Sequence, residues 1–229
     1  MKVTVNITRN AERTEKQPYG FVSIYLNDEF YLNSFQIRKN LSNGNYFVSA
    51  PNKFYVDKEG VEKAKMIIEI KAAFKGIADK IIENFKELEQ KNEKVAKISM
   101  GEEKPINYKV QTYLKEPVAI KNDGKIIGKA KLSIDDIFTI NDITVIRDKE
   151  QKAQILYPSY NKTNVEGEKE YKEFCNPITA DCRSKVLEEV EKSIVKAEEW
   201  QKQHSNQAQT KTQEQTQAPK AQTNDAPVM

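Results

Sequence analysis

The sequence predicts an α+β fold: two tandem small domains, each an antiparallel β-sheet of four or five strands followed by a C-terminal helix, plus a disordered C-terminal tail. Three observations carry this prediction. Gly20, Asp28, Phe30 and Asn33 recur 108 positions later as Gly128, Asp136, Phe138 and Asn141, while Ile24/Leu132, Leu26/Ile134, Phe35/Ile143 and Ile37/Val145 stay apolar in register. A period this long exceeds a solenoid unit and signals two copies of one small domain. Each copy passes from alternating, strand-like stretches into a segment of helical spacing. From His204 onward the chain is Gln, Thr, Ala, Pro and Lys with scarcely a branched aliphatic. Such a segment cannot bury enough apolar surface to offset the entropy of ordering. The expected division is residues 1–92, a linker 93–105, residues 106–203 and the tail 204–229.

The first copy opens with Val3, Val5 and Ile7 alternating against polar residues, a half-buried strand. After a polar break to Pro18, two strands flank Asn27-Asp28, a hairpin turn. Asn43-Gly44 is a second hairpin signal because both residues tolerate positive φ, and the strand after it stops at Pro51. Met66 to Ile70 reads as a short strand by parallel with the second copy, and a helix is expected from about Ala72 to Lys91. Its polar face mixes lysine with glutamate, and its apolar stripe suits its own sheet, the other copy or a partner protein. In the second copy, alternation begins at Ile106, Asn122-Asp123-Gly124 marks a tight turn, and strands follow at Lys129 to Ile134 and Phe138 to Arg147. Ala153 to Leu156 is a strand closed by Pro158, and the charged stretch from Tyr160 to Glu173 is an exposed turn or ribbon. Asn176-Pro177 reads as N-cap and first-turn proline of a helix whose stripe is Cys182, Val186, Val190, Ile194 and Ala197, ending near Gln203.

Two domains within 229 residues each hold a core near the lower limit of independent stability, so pairing between them is physically useful. A net charge of +3 with 31% charged residues gives a mixed surface, which permits nucleic-acid binding without arguing for it. The amino-terminal alternation does not read as a secretory signal, and no apolar run approaches the roughly 18 residues of a membrane span. A cytoplasmic protein without membrane contact is expected. Cys175 and Cys182 read as structural thiols at the start of a helix; with His204 the sole histidine, no metal and no cofactor are expected.

Several short strings carry a family resemblance. Asp-Glu-Phe at 28–30, Asn141 to Arg147, Tyr-Pro-Ser at 157–159, and Phe-Cys-Asn-Pro-Ile-Thr at 174–179 with Arg183 and Lys185 resemble the SpoVG family, the bacterial stage V sporulation or septation proteins. The second copy resembles the pattern over nearly its whole length. The first does so up to Pro51, and Glu69-Ile70-Lys71 stands where the His-Pro-Ile-Thr segment of the family would be. The resemblance implies a small α/β domain that dimerises by joining sheets and includes regulators that bind DNA or RNA. Here it implies two copies forming an intramolecular pseudo-dimer, with nucleic acid as partner and homo-oligomers as a further level of assembly.

In the family, nucleic-acid contact is attributed to basic residues around the helix and the loop before it, and Arg183 and Lys185 fall on matching positions. Arginine forks two donors onto a phosphate or guanine edge, while lysine supplies a point charge. The competing reading makes both solvated residues of an amphipathic helix. Where the family has a basic loop after its Pro-Ser, this chain keeps Lys162 in the second copy and Lys53 in the first. Tyr160, Phe54 and Tyr55 are candidates for stacking on single-strand bases, or else caps on a small core. Glu166, Glu168, Glu170 and Glu173 oppose a phosphate backbone. An enzyme is not expected: neither domain has a histidine, and Asp28-Glu29 and Asp135-Asp136 fall at turns. The expected function is a DNA- or RNA-binding regulator of a bacterium or phage, the alternative a protein-interaction or assembly module on the same fold.

Overall fold

The computed structural model describes residues 1–120, 124–163 and 167–215, with the side chains of 162–163 and 205–215 outside the description. Strand β1 (Val3–Arg9) buries Val3, Val5 and Ile7 on one face, while on the other Thr4 is buried, Asn6 half-buried and Thr8 exposed. It is followed by β2 (Gly20–Leu26), β3 (Phe30–Lys39), β4 (Tyr46–Ser49), the two-stranded ribbon β5 (Asn52–Val56) and β6 (Glu62–Met66), and the short β7 (Ile68–Ile70). A 3-10 turn at Ala72–Phe74 leads into α1 (Lys75–Lys91), and β8 (Val95–Met100) follows. The second half repeats the order: β9 (Tyr108–Ala119), β10 (Lys125–Ile134), β11 (Phe138–Arg147), β12 (Ala153–Leu156), the ribbon β13 (Ser159–Thr163) and β14 (Lys169–Glu173), β15 (Cys175–Pro177) and α2 (Ala180–Gln215).

The turns between β2 and β3 and between β10 and β11 have the same geometry. Asn27 and Asp28 have φ of 48° and 54°, and Asp135 and Asp136 have 46° and 52°. Two consecutive left-handed residues form the hairpin turn whose twist matches the strands, and Asn and Asp tolerate it.

β3 and β11 are each ten residues long, and each divides its outer edge between two partners. The last part of β3 pairs with β4 of its own half, while Phe30, Tyr31 and Leu32 pair with Pro177, Asn176 and Cys175 of β15. In the same way β11 pairs with β12, while Phe138, Thr139 and Ile140 pair with Ile70, Glu69 and Ile68 of β7. Between the two partners each strand carries a bulge at a positive-φ residue, Ser34 (67°) and Asp142 (65°). Further bonds repeat across the halves: Asn33 N donates to Phe174 O at 2.7 Å and Asn141 N to Ile67 O at 2.8 Å.

The halves thus exchange a strand in both directions, and all strand pairings are antiparallel. Three-residue strands gain little from ladder bonds worth about 1 kcal/mol each. Burial contributes more: Ile67, Ile68, Phe174 and Cys175 are at most 5% exposed, and burying a large apolar side chain is worth about 2 kcal/mol. Phe30 reaches Tyr108 and Tyr157 at ring distances of 6.1 and 6.0 Å, and Phe35 meets Phe138 at 6.2 Å. The buried side chains of both sheets form one contiguous cluster. Helix α1 lies on β1, β4 and β8, and α2 on β9, β12 and β15.

Several details differ from expectation. Residues 93–105, expected as a linker, contain β8, which pairs with β1 over six positions. One sheet therefore has six strands and the other five, each counting a strand from the other half. The ribbon β5–β6 was not expected, since its exposed residues show no burial alternation. Asn176-Pro177 is part of strand β15 and not a helix start, because its backbone is taken by β3. Thr179 caps α2 instead, its hydroxyl accepting from Cys182 N at 3.1 Å. Helix α2 continues to Gln215, past the expected end near Gln203. Gln, Ala, Lys and Glu are good helix formers, and an anchored helix extends readily through them. The turn at Asn122-Asp123 and the tail from 216 lie outside the described residues.

The repeated glycines have a steric cause. A Cβ at Gly128 would strike the Tyr113 carbonyl oxygen, and one at Gly20 would sit 2.9 Å from the Thr8 oxygen and 3.0 Å from the Phe85 ring. Gly128→Ala should destabilise the chain by about 1–3 kcal/mol, measured as a lower urea midpoint. Gly76→Ala, where nothing lies within 4 Å, should be neutral or stabilising by up to about 1 kcal/mol.

Candidate nucleic-acid interface

The first turn of α2 sets Arg183 on the helix surface, because Cys182 and Val186 take the buried positions beside it. Arg183 lines a cleft of about 240 Å³ with Gln154, Tyr157, Glu173, Asn176 and Leu187. Among the described residues no carboxylate forms an ion pair with it. Lys185 lies two positions on, where helical geometry points it elsewhere. Its ammonium is 3.9 Å from Glu29 Oε2, in the β2–β3 turn of the first half. The two residues grouped by sequence therefore serve different surfaces.

Lys53 is exposed on β5, directly opposite Lys65 of β6. Lys65 is drawn to Asp142 at 2.9 Å, which Lys129 also approaches at 3.1 Å. Lys53 makes no ion pair with a described residue. The side chain of Lys162 lies outside the described residues; its backbone in β13 pairs with Glu170. Tyr160 is half-buried, its ring 4.7 Å from that of Phe174 and its hydroxyl 3.2 Å from Ser34 Oγ. It closes the core at the exchange point, the second of the two roles expected for it. Phe54 and Tyr55, in contrast, stay exposed on β5. Glu170 and Glu173 are compensated locally, by Lys172 at 3.2 Å and by an Asn176 Nδ2 donor at 3.0 Å.

Residues 108–196 match the SpoVG family. The matched span begins at the first residue of β9 and ends within α2, so the similarity lies in the second half and includes Arg183 and Lys185. No curated protein and no solved structure matches the chain. No helix among the described residues is long and apolar enough to cross a membrane.

Two buried thiols, Cys175 and Cys182, lie in the matched second half. Cys175 is fully buried in β15, and Cys182 Sγ contacts the Tyr108 hydroxyl at 3.1 Å. Burial pushes both thiols above their ordinary range. Burial likewise raises the Tyr157 hydroxyl, which has no hydrogen-bond partner among the described residues.

Sequence reasoning passed over the outer face of the first sheet. Antiparallel pairing places Thr8, Phe21, Gln36 and Ser49 in one row, Asn6, Ser23 and Lys97 in the next, and Thr4, Tyr25, Tyr31, Ser99 and Asn176 in a third. Residues opposite one another across strands share a face. Tyr25 and Tyr31 sit 4.9 Å apart, and Ser23 Oγ donates to Asn33 Oδ1 at 3.0 Å. The signal was the odd-numbered alternation Phe21, Ser23, Tyr25 and Tyr31, Asn33, which had been read only for its buried partners.

Burial alone would raise the Asp142 carboxyl, but the Lys65 and Lys129 ammoniums outweigh it and hold it below the ordinary aspartate range. A depressed folded pKa adds stability that is present above the unfolded value and lost as pH falls through the folded one. Asp142→Asn should therefore lose less stability than the parent on acidification below pH about 4, measured by urea midpoints. An unchanged acid dependence would contradict the assignment. Cys175 and Cys182 should resist a soluble disulfide reagent until denaturant unfolds the chain; fast labelling of the native protein would contradict their burial.

Proposed function

We propose that this chain is a SpoVG-like nucleic-acid-binding regulator of the cytoplasm, not an enzyme, whose two halves are duplicated domains forming an intramolecular pseudo-dimer. The observation that carries the binding reading is Arg183: a SpoVG-matched residue, exposed at the start of α2 and without a carboxylate partner among the described residues. A guanidinium left unpaired beside a cleft is ready to fork onto a phosphate or guanine edge. The reciprocal strands β7 and β15 support the pseudo-dimer reading, since a covalent link holds the halves at high effective concentration.

A second reading, a protein-interaction module without nucleic-acid affinity, draws on the carboxylates of β14, which weaken attraction to phosphate. The two separate by titration of labelled DNA and RNA, single- and double-stranded, over a range of salt. The proposal expects affinity that falls steeply with salt, and Arg183→Ala with Lys185→Ala weakening it several-fold. No binding at low salt to any probe would leave the interaction module as the better account.

A further inference from the structure

We propose that the outer face of the first sheet, across β1, β2, β3 and β4, binds single-stranded nucleic acid, with Phe21, Tyr25, Tyr31 and Phe47 stacking on bases and Arg38 and Lys97 holding phosphates. This rests on the nucleic-acid reading above and adds to it a site and a substrate class. The face is unusual in charge. The chain has 34 Asp and Glu residues, yet the outward rows of β1, β2, β3, β4 and β8 contain none, while Arg38 and Lys97 lie within them. Along these rows an anion meets no carboxylate until the β13–β14 edge, where Glu173 accepts from Asn176 Nδ2 at 3.0 Å.

The rings are not a requirement of the fold. The second sheet orders β10, β11 and β12 as the first orders β2, β3 and β4, and at the positions of Phe21, Tyr25, Tyr31 and Phe47 it places Lys129, Ser133, Thr139 and Gln154. On that surface the second sheet carries one ring, the exposed Tyr113 beside Lys129, against four on the first. In the first sheet Phe21 and Phe47 remain 45% and 44% exposed. Tyr25 and Tyr31 are half-buried and tilted against each other.

Between the rings lie Asn6, Ser23, Asn33 and Gln36, whose amides and hydroxyls suit base edges. Phe21 and Tyr25 are spaced about 13 Å along β2 at roughly 3.4 Å per residue, leaving room for unstacked bases between them. A duplex hides its base faces, so a ring-bearing sheet selects for single strands. Beside this face the β13–β14 ribbon forms a cleft of about 490 Å³ with Tyr31, Asn33, Asn176, Tyr171, Lys172 and the carboxylate-bearing Glu173. Tyr171 is 78% exposed at its rim and extends the aromatic surface.

The test uses the full-length chain, with fluorescein-labelled oligo(dT), oligo(U) and a mixed-sequence duplex of equal length, read by anisotropy. Single strands should bind more tightly than duplex, and the two single strands separate DNA from RNA preference. Phe21→Ser with Phe47→Ser, both at exposed positions, should weaken single-strand binding by at least about tenfold. Arg38→Gln with Lys97→Gln leaves the rings intact and should lower the slope of log affinity against log salt by about 1.4. Circular dichroism and melting temperature establish that each variant folds. Parent-like binding by both variants, with loss in Arg183→Ala/Lys185→Ala, would overturn the sheet site and leave the nucleic-acid reading standing. No binding of any oligonucleotide by the parent would overturn both. A doubled mass by light scattering, abolished by Phe21→Ser/Phe47→Ser and accompanied by no binding, would assign the face to a second copy of the chain.

Discussion

The structure depends on the division of two strand edges. β3 and β11 each give the first three residues of their outer edge to a strand from the other half and the rest to a strand of their own. A bulge at Ser34 or Asp142 turns the strand between its two partners. Neither half can complete its sheet alone, because the residues that fill the remaining edge lie beyond the ribbon of the other. Ile67, Ile68, Phe174 and Cys175 become core residues of a shared interior by this exchange.

The exchange also fixes where the functional surfaces sit. Each ribbon leaves one sheet after a proline and returns at the other, its base closed by Ile67 N on Pro51 O at 3.2 Å and Phe174 N on Pro158 O at 3.0 Å. Residues on the ribbons and at the start of α2 therefore lie near the junction of the halves. Lys185 of one half approaches Glu29 of the other, and Tyr160 touches Ser34. The outer sheet faces are free of this constraint, and there the halves differ: Phe21, Tyr25, Tyr31 and Phe47 on the first stand where the second has Lys129, Ser133, Thr139 and Gln154.

Much of the fold was legible because it follows from local chemistry. Asn27-Asp28 and Asp135-Asp136 announced their turns, and the stripes of both helices are buried as read, from Phe74 to Leu88 and from Cys182 to Ile194. Met66 to Ile70 was read as one short strand; the strand observed there is Ile68–Ile70, and its partner in the other half was not foreseen, since three residues carry no mark of which edge they join. β8 was overlooked although Ala96, Ile98 and Met100 alternate, because a connector was expected there. Asn176-Pro177 has the chemistry of a helix start and was claimed by a sheet, a tertiary contact overriding a local preference. The site was less legible. Arg183 is exposed as the motif implied, whereas Tyr160 packs inward, and the sheet face is visible only once register shows which residues share a row.

The central claim is that reciprocal strand exchange makes the two halves one cooperative unit. Native-state hydrogen exchange in increasing denaturant tests it most directly, by comparing the amides of β1 to β3 with those of β9 to β11. The account predicts that the most protected amides of both sheets open in a single event with the same free energy and the same denaturant dependence. Opening of one sheet at markedly lower free energy, with the other still protected, would contradict it.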